Sequence, residues 1–212
     1  MTKTILALVW IAGWVHVIWF TPQDGSSTLE FLAAVMRRDD ELVDPLIFTV
    51  FNLLGIWPLV MVAMLVQDDQ GRLKAWPFAF SSMVLGNSAL YVYLFFRRPQ
   101  TGLVAPMGAL VRFAESKVLA VFLLVSTVLL LAYGSVQGSL EAYAMAFETQ
   151  AFVSFMTVDF VLFSIAFAAI LPDDLRRRGM PTGGWTWLYA LVPALGAVIY
   201  LTVRAPLTDR QG

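Results

Sequence analysis

With 212 residues, 59% of them hydrophobic and only 14% charged, the chain has nothing left over for a separate soluble domain. Its net charge of −1 supplies no global field to recruit nucleic acid. It contains no cysteine and one histidine, which excludes disulfides, thiolate catalysis, iron–sulfur clusters, cysteine-held or multi-histidine metal sites and histidine-based triads.

Six apolar stretches cover more than half of the chain, at 4–20, 45–66, 75–96, 118–134, 151–171 and 185–203. Each is long enough to cross a hydrocarbon core about 30 Å thick as a helix. None alternates polar with apolar residues as a barrel strand does, so the expected fold class is an all-α membrane protein with six transmembrane helices in one domain. The first stretch follows Lys3 and ends in Trp19-Phe20-Thr21-Pro22, without a small-x-small cleavage pattern. It is expected to be a membrane helix and not a removed signal. After it, 26–38 opens with a Ser or Thr cap and repeats apolar residues at Leu29, Leu32, Ala33 and Met36, which predicts a short helix lying in the interface. Segments 107–116 and 139–148 look like shorter versions. Trp19, Trp76, Trp185 and Trp187 stand at span ends, where their rings suit the headgroup layer.

An internal repeat divides the chain at about 1–100 and 107–206. Tyr93-Leu94-x-x-Arg97-x-Pro99 closes the third span and Tyr200-Leu201-x-x-Arg204-x-Pro206 closes the sixth. Upstream, Asp68-Asp69 and Asp173-Asp174 each follow a span and precede basic residues. Leu29-Glu30 and Leu140-Glu141 each open an amphipathic segment. Three spans per repeat is an odd number, so the second copy is expected to enter from the opposite side, as an inverted-topology repeat. On that topology the face holding both termini carries Lys3, Arg72, Lys74, Arg204 and Arg210. The other face carries Arg37, Arg38, Arg97, Arg98, Arg112, Lys117 and Arg176 to Arg178. Nine basic residues against five place both termini on the non-cytoplasmic side.

Two stretches carry a resemblance. One is Asp44-Pro45-Leu46-Ile47-Phe48-Thr49-Val50-Phe51-Asn52-Leu53-Leu54-Gly55-Ile56-Trp57-Pro58; the other is Phe155-Met156-Thr157-Val158-Asp159-Phe160 with Asp173-Asp174-x-x-Arg177-Arg178-Gly179 and the closing Tyr200 motif. Together they resemble an uncharacterised family, a domain of unknown function, of integral membrane proteins in cyanobacteria and plastids. The resemblance implies a thylakoid or plasma membrane of a phototroph and no particular reaction.

Few residues are left to carry chemistry. Asp159 is the one acid deep inside a span, where a charge costs a few kcal/mol on insertion scales. His16, Asn52, Asn87 and Asp159 each lie within about 6 Å of the middle of their spans, on four different helices, and are expected to meet in a polar cluster. The bland alternative is a set of separate interhelical hydrogen bonds. His16, flanked by Trp14 and Trp19, is a candidate axial ligand for a chlorophyll magnesium, against an ordinary histidine bonded to a neighbouring helix. Bound chlorophyll or carotenoid is therefore a cofactor expectation. Arg176, Arg177 and Arg178 are candidates for contact with anionic lipid or a partner's acidic face. No catalytic or metal-ligating set is expected. The role these features suggest is a non-catalytic accessory or assembly subunit of a larger complex in a photosynthetic membrane, with lipids and other membrane subunits as partners. The alternative is a small inverted-repeat transporter or channel built on the cluster around Asp159. An enzyme using Asp159 with His16 for acid–base work has no motif behind it.

Overall fold

A computed structural model describes residues 3–22, 28–39, 42–66, 73–98 and 108–207. Within them every regular element is helical: α1 (Lys3–Trp19), α2 (Thr28–Arg37), α3 (Pro45–Leu65), α4 (Ala75–Leu85), α5 (Asn87–Phe96), α6 (Ala109–Ala114), α7 (Lys117–Gln137), α8 (Leu140–Thr149), α9 (Ala151–Arg177), α10 (Leu188–Leu191) and α11 (Leu195–Val203). A 3-10 turn, Gly184–Trp187, leads into α10. Of these, α3, α7 and α9 are long and apolar enough to cross a membrane, so the chain is an all-helical membrane protein.

Local chemistry starts the helices where they start. Asp44 caps α3 by accepting from the Leu46 N–H at 2.7 Å, and Pro45 occupies the first helical position, where no N–H is needed. Ser116 and Ser139 cap α7 and α8 in the same way. The Asp44 carboxylate also accepts from the Ser139 N–H at 3.1 Å, tying the starts of α3 and α8 together at what we call the upper end. From there α3 runs down against α7, whose Gly134 and Gly138 let Thr49 and Leu46 approach closely. Likewise α9 runs down against α1, with Ser154 beside His16 and Leu162 against Gly13. Helices α1 and α7 therefore run up, α3 and α9 down.

The third and sixth predicted spans are not single helices; each folds back on itself. Helices α4 and α5 meet at Gly86, whose φ of +58° and ψ of −160° are open only to glycine. Phe78 on α4 then packs on Tyr93 of α5 with ring centroids 5.7 Å apart, so the two arms lie antiparallel. At ten or eleven residues and 1.5 Å per residue, each arm reaches about halfway through the hydrocarbon. In the second half the chain turns at Val192 to Ala194, with Ala194 at φ +60°. Tyr189 then faces Tyr200 at 5.4 Å, and a Cβ on Gly196 would stand 2.3 Å from the Tyr189 carbonyl oxygen, so only glycine allows these arms to close. Hydropathy does not register such turns, because Gly86, Pro193 and Ala194 leave the run as apolar as a crossing helix.

Each half thus holds two helices of 17 residues or more and one folded-back pair, in place of three full-length helices. The Lys3 ammonium donates to the carbonyls of Phe95 and Arg97 at 2.5 and 3.3 Å, at the end of α5. The Lys117 ammonium donates to Thr202 and Arg204 at 2.7 and 3.3 Å, at the end of α11. In both halves, then, the lysine that opens the first helix satisfies the last carbonyls of the hairpin. That is impossible if three crossings separate them. Arg97 also pairs with Asp173 at the foot of α9, which puts both halves' hairpins at one lower end. With both lysine–hairpin contacts at one end, the two halves run in the same sense, and the expected inversion is not seen. The short helices α2 and α8 share the upper end. The Asp68-Asp69 part of the sequence repeat lies outside the described residues.

The hairpins also move the basic residues. Among the described residues, Lys3, Lys74, Arg97, Arg98, Arg112, Lys117, Arg176, Arg177, Arg178 and Arg204 belong to the lower end, and Arg37 and Arg38 to the upper. Because the chain has no native cysteine, single cysteines at Lys74 and Arg98, both exposed, test the first hairpin directly. A membrane-impermeant maleimide is expected to label both from the same face. Labelling from opposite faces would show that 75–96 crosses.

Candidate functional site

The site begins with a backbone problem. Helix α5 starts in the middle of the bundle, where its first N–H groups have neither a preceding turn nor water to bond. Gly86, in the capping position, has no side chain to offer. Asp159 on α9 takes that place from across the bundle. Its Oδ1 accepts from the Asn87 backbone N–H at 2.9 Å and from Asn87 Nδ2 at 2.7 Å, and Nδ2 also donates to the Asp159 carbonyl at 3.0 Å. The carboxyl group faces the positive end of the α5 dipole, which favours negative charge there. A Cβ on Gly86 would come within 2.7 and 2.8 Å of the two carboxyl oxygens, so the hairpin tip is pressed directly against them. One turn on, the Tyr91 hydroxyl donates to the Leu162 carbonyl at 3.0 Å. The arm is bound along its length: Asn87 to Asp159, Tyr91 to Leu162, Arg97 to Asp173.

Beside this contact lies a cavity of about 450 Å³ between α2, α3, the end of α4 and the start of α9. Asp159, Asn52 and Ser82 supply polar atoms to a wall that is otherwise apolar. A second, water-sized space of about 20 Å³ touches Asp159 from the side of Gly13, Trp14 and Ser88.

The expected cluster of four is therefore partly assembled. Asn87 and Asp159 bond to each other, and Asn52 faces the same cavity while its Nδ2 donates to the Phe48 carbonyl at 2.8 Å. His16 does not join them. It lies nearer the upper end, its Nε2 3.0 Å from Ser154 Oγ and its ring stacked between Phe20 and Phe147.

A second polar site formed where surface contacts were expected. Only Arg176 is exposed, at 54%, and it pairs with Asp173. The side chains of Arg177 and Arg178 are covered and turn inward, toward Asp174 and Glu115. Arg178 donates to Asp174 at 2.8 Å, to both Glu115 oxygens at 2.7 and 2.9 Å, and to the Ala205 carbonyl at 2.6 Å. Arg204 bridges the Ala63 and Ala114 carbonyls at 2.9 and 2.7 Å and lies 3.1 Å from Glu115. The Tyr200 hydroxyl completes the network by donating to Asp174 at 2.7 Å. Burial acts against the charge on Arg178, but its bonds to Glu115 and the charges of Asp174 and Glu115 outweigh it and hold the guanidinium above its ordinary value. Burial, then the like charge of Arg178, pulls Arg204 below its own. The network clamps the lower ends of α3, α6, α9 and α11. Its sequence signal was the Tyr-Leu-x-x-Arg repeat, which marks the hairpin ends, but the Glu115 partner lies 63 residues from Arg178.

Among the described residues no group of histidine and carboxylate side chains could hold a metal ion. Compared with family models, curated proteins and solved structures, the chain matches none of them.

These contacts set stability expectations that thermal unfolding in detergent can read. Gly86→Ala forces a side chain into a conformation closed to it and is expected to lose at least about 1–3 kcal/mol. Gly55→Ala, where a Cβ meets nothing within 4 Å, is expected to be neutral or stabilising by up to about 1 kcal/mol. Glu115→Ala strands two buried guanidinium groups and is expected to cost about 3–5 kcal/mol, against about 0–1 for Arg176→Ala at the surface.

Proposed function

We propose that this protein is a non-catalytic integral membrane subunit that binds within the bilayer and serves a larger assembly, in the setting the resemblance implies, a photosynthetic membrane. One observation carries the preference for binding over transport. Between Asp159 and the charged network, Trp57 packs on Phe163 and Phe167 with centroids 6.1 and 6.0 Å apart, and Val60, Met61 and Ile170 close the same layer. A polar solute leaving Asp159 for the lower end would have to part this apolar layer. Outside it, α7 presents a lengthwise stripe, including Val118, Val121, Phe122, Val125 and Leu129, to its surroundings. Such a stripe suits lipid and neighbouring membrane helices.

The second reading, a small transporter built on Asp159, has its own support in the half-length α5, which points its amino terminus at a mid-membrane carboxyl group. Among the described residues, ten basic side chains at the lower end against two at the upper support an orientation with Lys3 and Arg204 facing the cytoplasm or stroma, opposite to that expected from six crossings.

Gentle purification followed by cross-linking mass spectrometry is expected to recover other membrane subunits joined to α7. Migration as a free monomer or homodimer, together with an ion flux in proteoliposomes that Asp159→Asn abolishes, would replace this reading with the transporter.

A further inference from the structure

The cavity beside Asp159 has a polar wall of one chemical kind. The hydrogens that its polar groups own are largely committed inward. Ser82 gives its hydroxyl hydrogen to the Ala79 carbonyl at 2.6 Å, leaving only lone pairs. Asn52 gives an amide hydrogen to Phe48, and its Oδ1 remains. Asp159 Oδ1 takes both Asn87 donors, and Oδ2 remains beside Gly86. Among the described side chains, three acceptors thus line the space with a single spare donor, the second amide hydrogen of Asn52. A buried acceptor without a donor costs about 1–3 kcal/mol, so an occupant that brings donors is favoured and one that brings only oxygens is not.

The remainder of the wall says what else the occupant is. Met36, Met83 and Met156 line it with flexible thioethers that adapt to irregular apolar shapes. Met83 and Val84, at the end of α4, are 55% and 87% exposed, so the mouth opens sideways from the bundle. In a membrane protein that is the direction from which a lipid-soluble molecule comes. At about 450 Å³ the space falls in the size range of small-molecule sites.

We infer that this cavity binds a membrane-soluble amphiphile whose head is a hydroxyl group, a long-chain or isoprenoid alcohol or a quinol, with its O–H donated to Asp159 and the neighbouring acceptors. The inference needs only that the chain sits in a bilayer and does not depend on its joining a larger assembly.

The test uses the full chain in phosphatidylcholine nanodiscs, whose headgroup has no donor of its own. The probe is hexadecanol carrying a mid-chain diazirine and a terminal alkyne, photolysed and mapped by peptide mass spectrometry. Labelling is expected on α4 and the start of α9, with unlabelled hexadecanol displacing the probe at a concentration at least tenfold lower than its methyl ether or hexadecanoate. Gly55→Leu, which fills the cavity from a position with open space above it, is expected to cut labelling at least tenfold without lowering the melting temperature. Equal competition by the ether, or stronger competition by the carboxylate, would overturn the assignment of the head. Labelling spread along α7 and unchanged by Gly55→Leu would overturn the site itself. The competition series is run on the unaltered chain, so its result stands even if Gly55→Leu does not fold. Recovery or loss of partner subunits in cross-linking would leave it unchanged.

Discussion

A helix that begins inside a bilayer has to find partners for its first N–H groups without help from water, and the structure turns on how α5 does this. Asp159 reaches from α9 to the Asn87 backbone and side chain, while Gly86 lies flat against the carboxyl oxygens. The contact fixes the depth at which the hairpin stops. Were the tip free to move lower, the donors at Asn87 would be stranded in hydrocarbon, at several kcal/mol each. Because the tip stops there, α4 ends beside α3 and leaves the cavity open above it. The same carboxyl group is therefore a structural cap on one side and part of a binding wall on the other. A residue that first drew notice as a rare intramembrane acid is explained in good part by an ordinary need of backbone.

The lower end is held by different means. Glu115 and Asp174 balance Arg178 and Arg204, and the remaining donors go to carbonyls that end α3 and α6 or follow α11. Such networks are costly to desolvate and repay it only when nearly every hydrogen finds an acceptor, which Arg178 and Arg204 come close to achieving. Their effect is mainly to specify position. They join the feet of α3, α6 and α9 to the foot of the α11 arm, so that hairpin cannot swing outward while its tip stays seated.

Membrane class, the short helices α2 and α8 and the repeated Tyr-Leu-x-x-Arg ending were all legible in the chain, because each rests on local periodicity or on a short motif. So was the importance of Asn87 and Asp159, since polar residues are scarce enough in apolar runs to stand out. The turns at Gly86 and Ala194 were not legible. A glycine at positive φ inside twenty apolar residues looks the same to a hydropathy window as a glycine in a straight helix. That one omission then propagated: counting three crossings per half inverted the repeat, and the inverted repeat misassigned Arg97, Arg98, Arg112, Lys117 and the triple arginine to the wrong face relative to Lys3. Burial of Arg177 and Arg178 was hidden for another reason. The acid that meets Arg178 from outside its own helix comes from a different repeat element, and nothing in a run of three arginines announces it.

The shared sense of the two halves bears on how such a chain could arise. A unit that goes up, comes back and then dips leaves its two ends on one face, so a tandem copy joined to it inserts in the same sense as the first. Lys3 with Phe95 and Lys117 with Thr202 make the same bond in both copies. A half-length forerunner of this design would have paired with its own twin while both stood the same way up, and fusing them would have asked for a linker and no ability to insert in two directions.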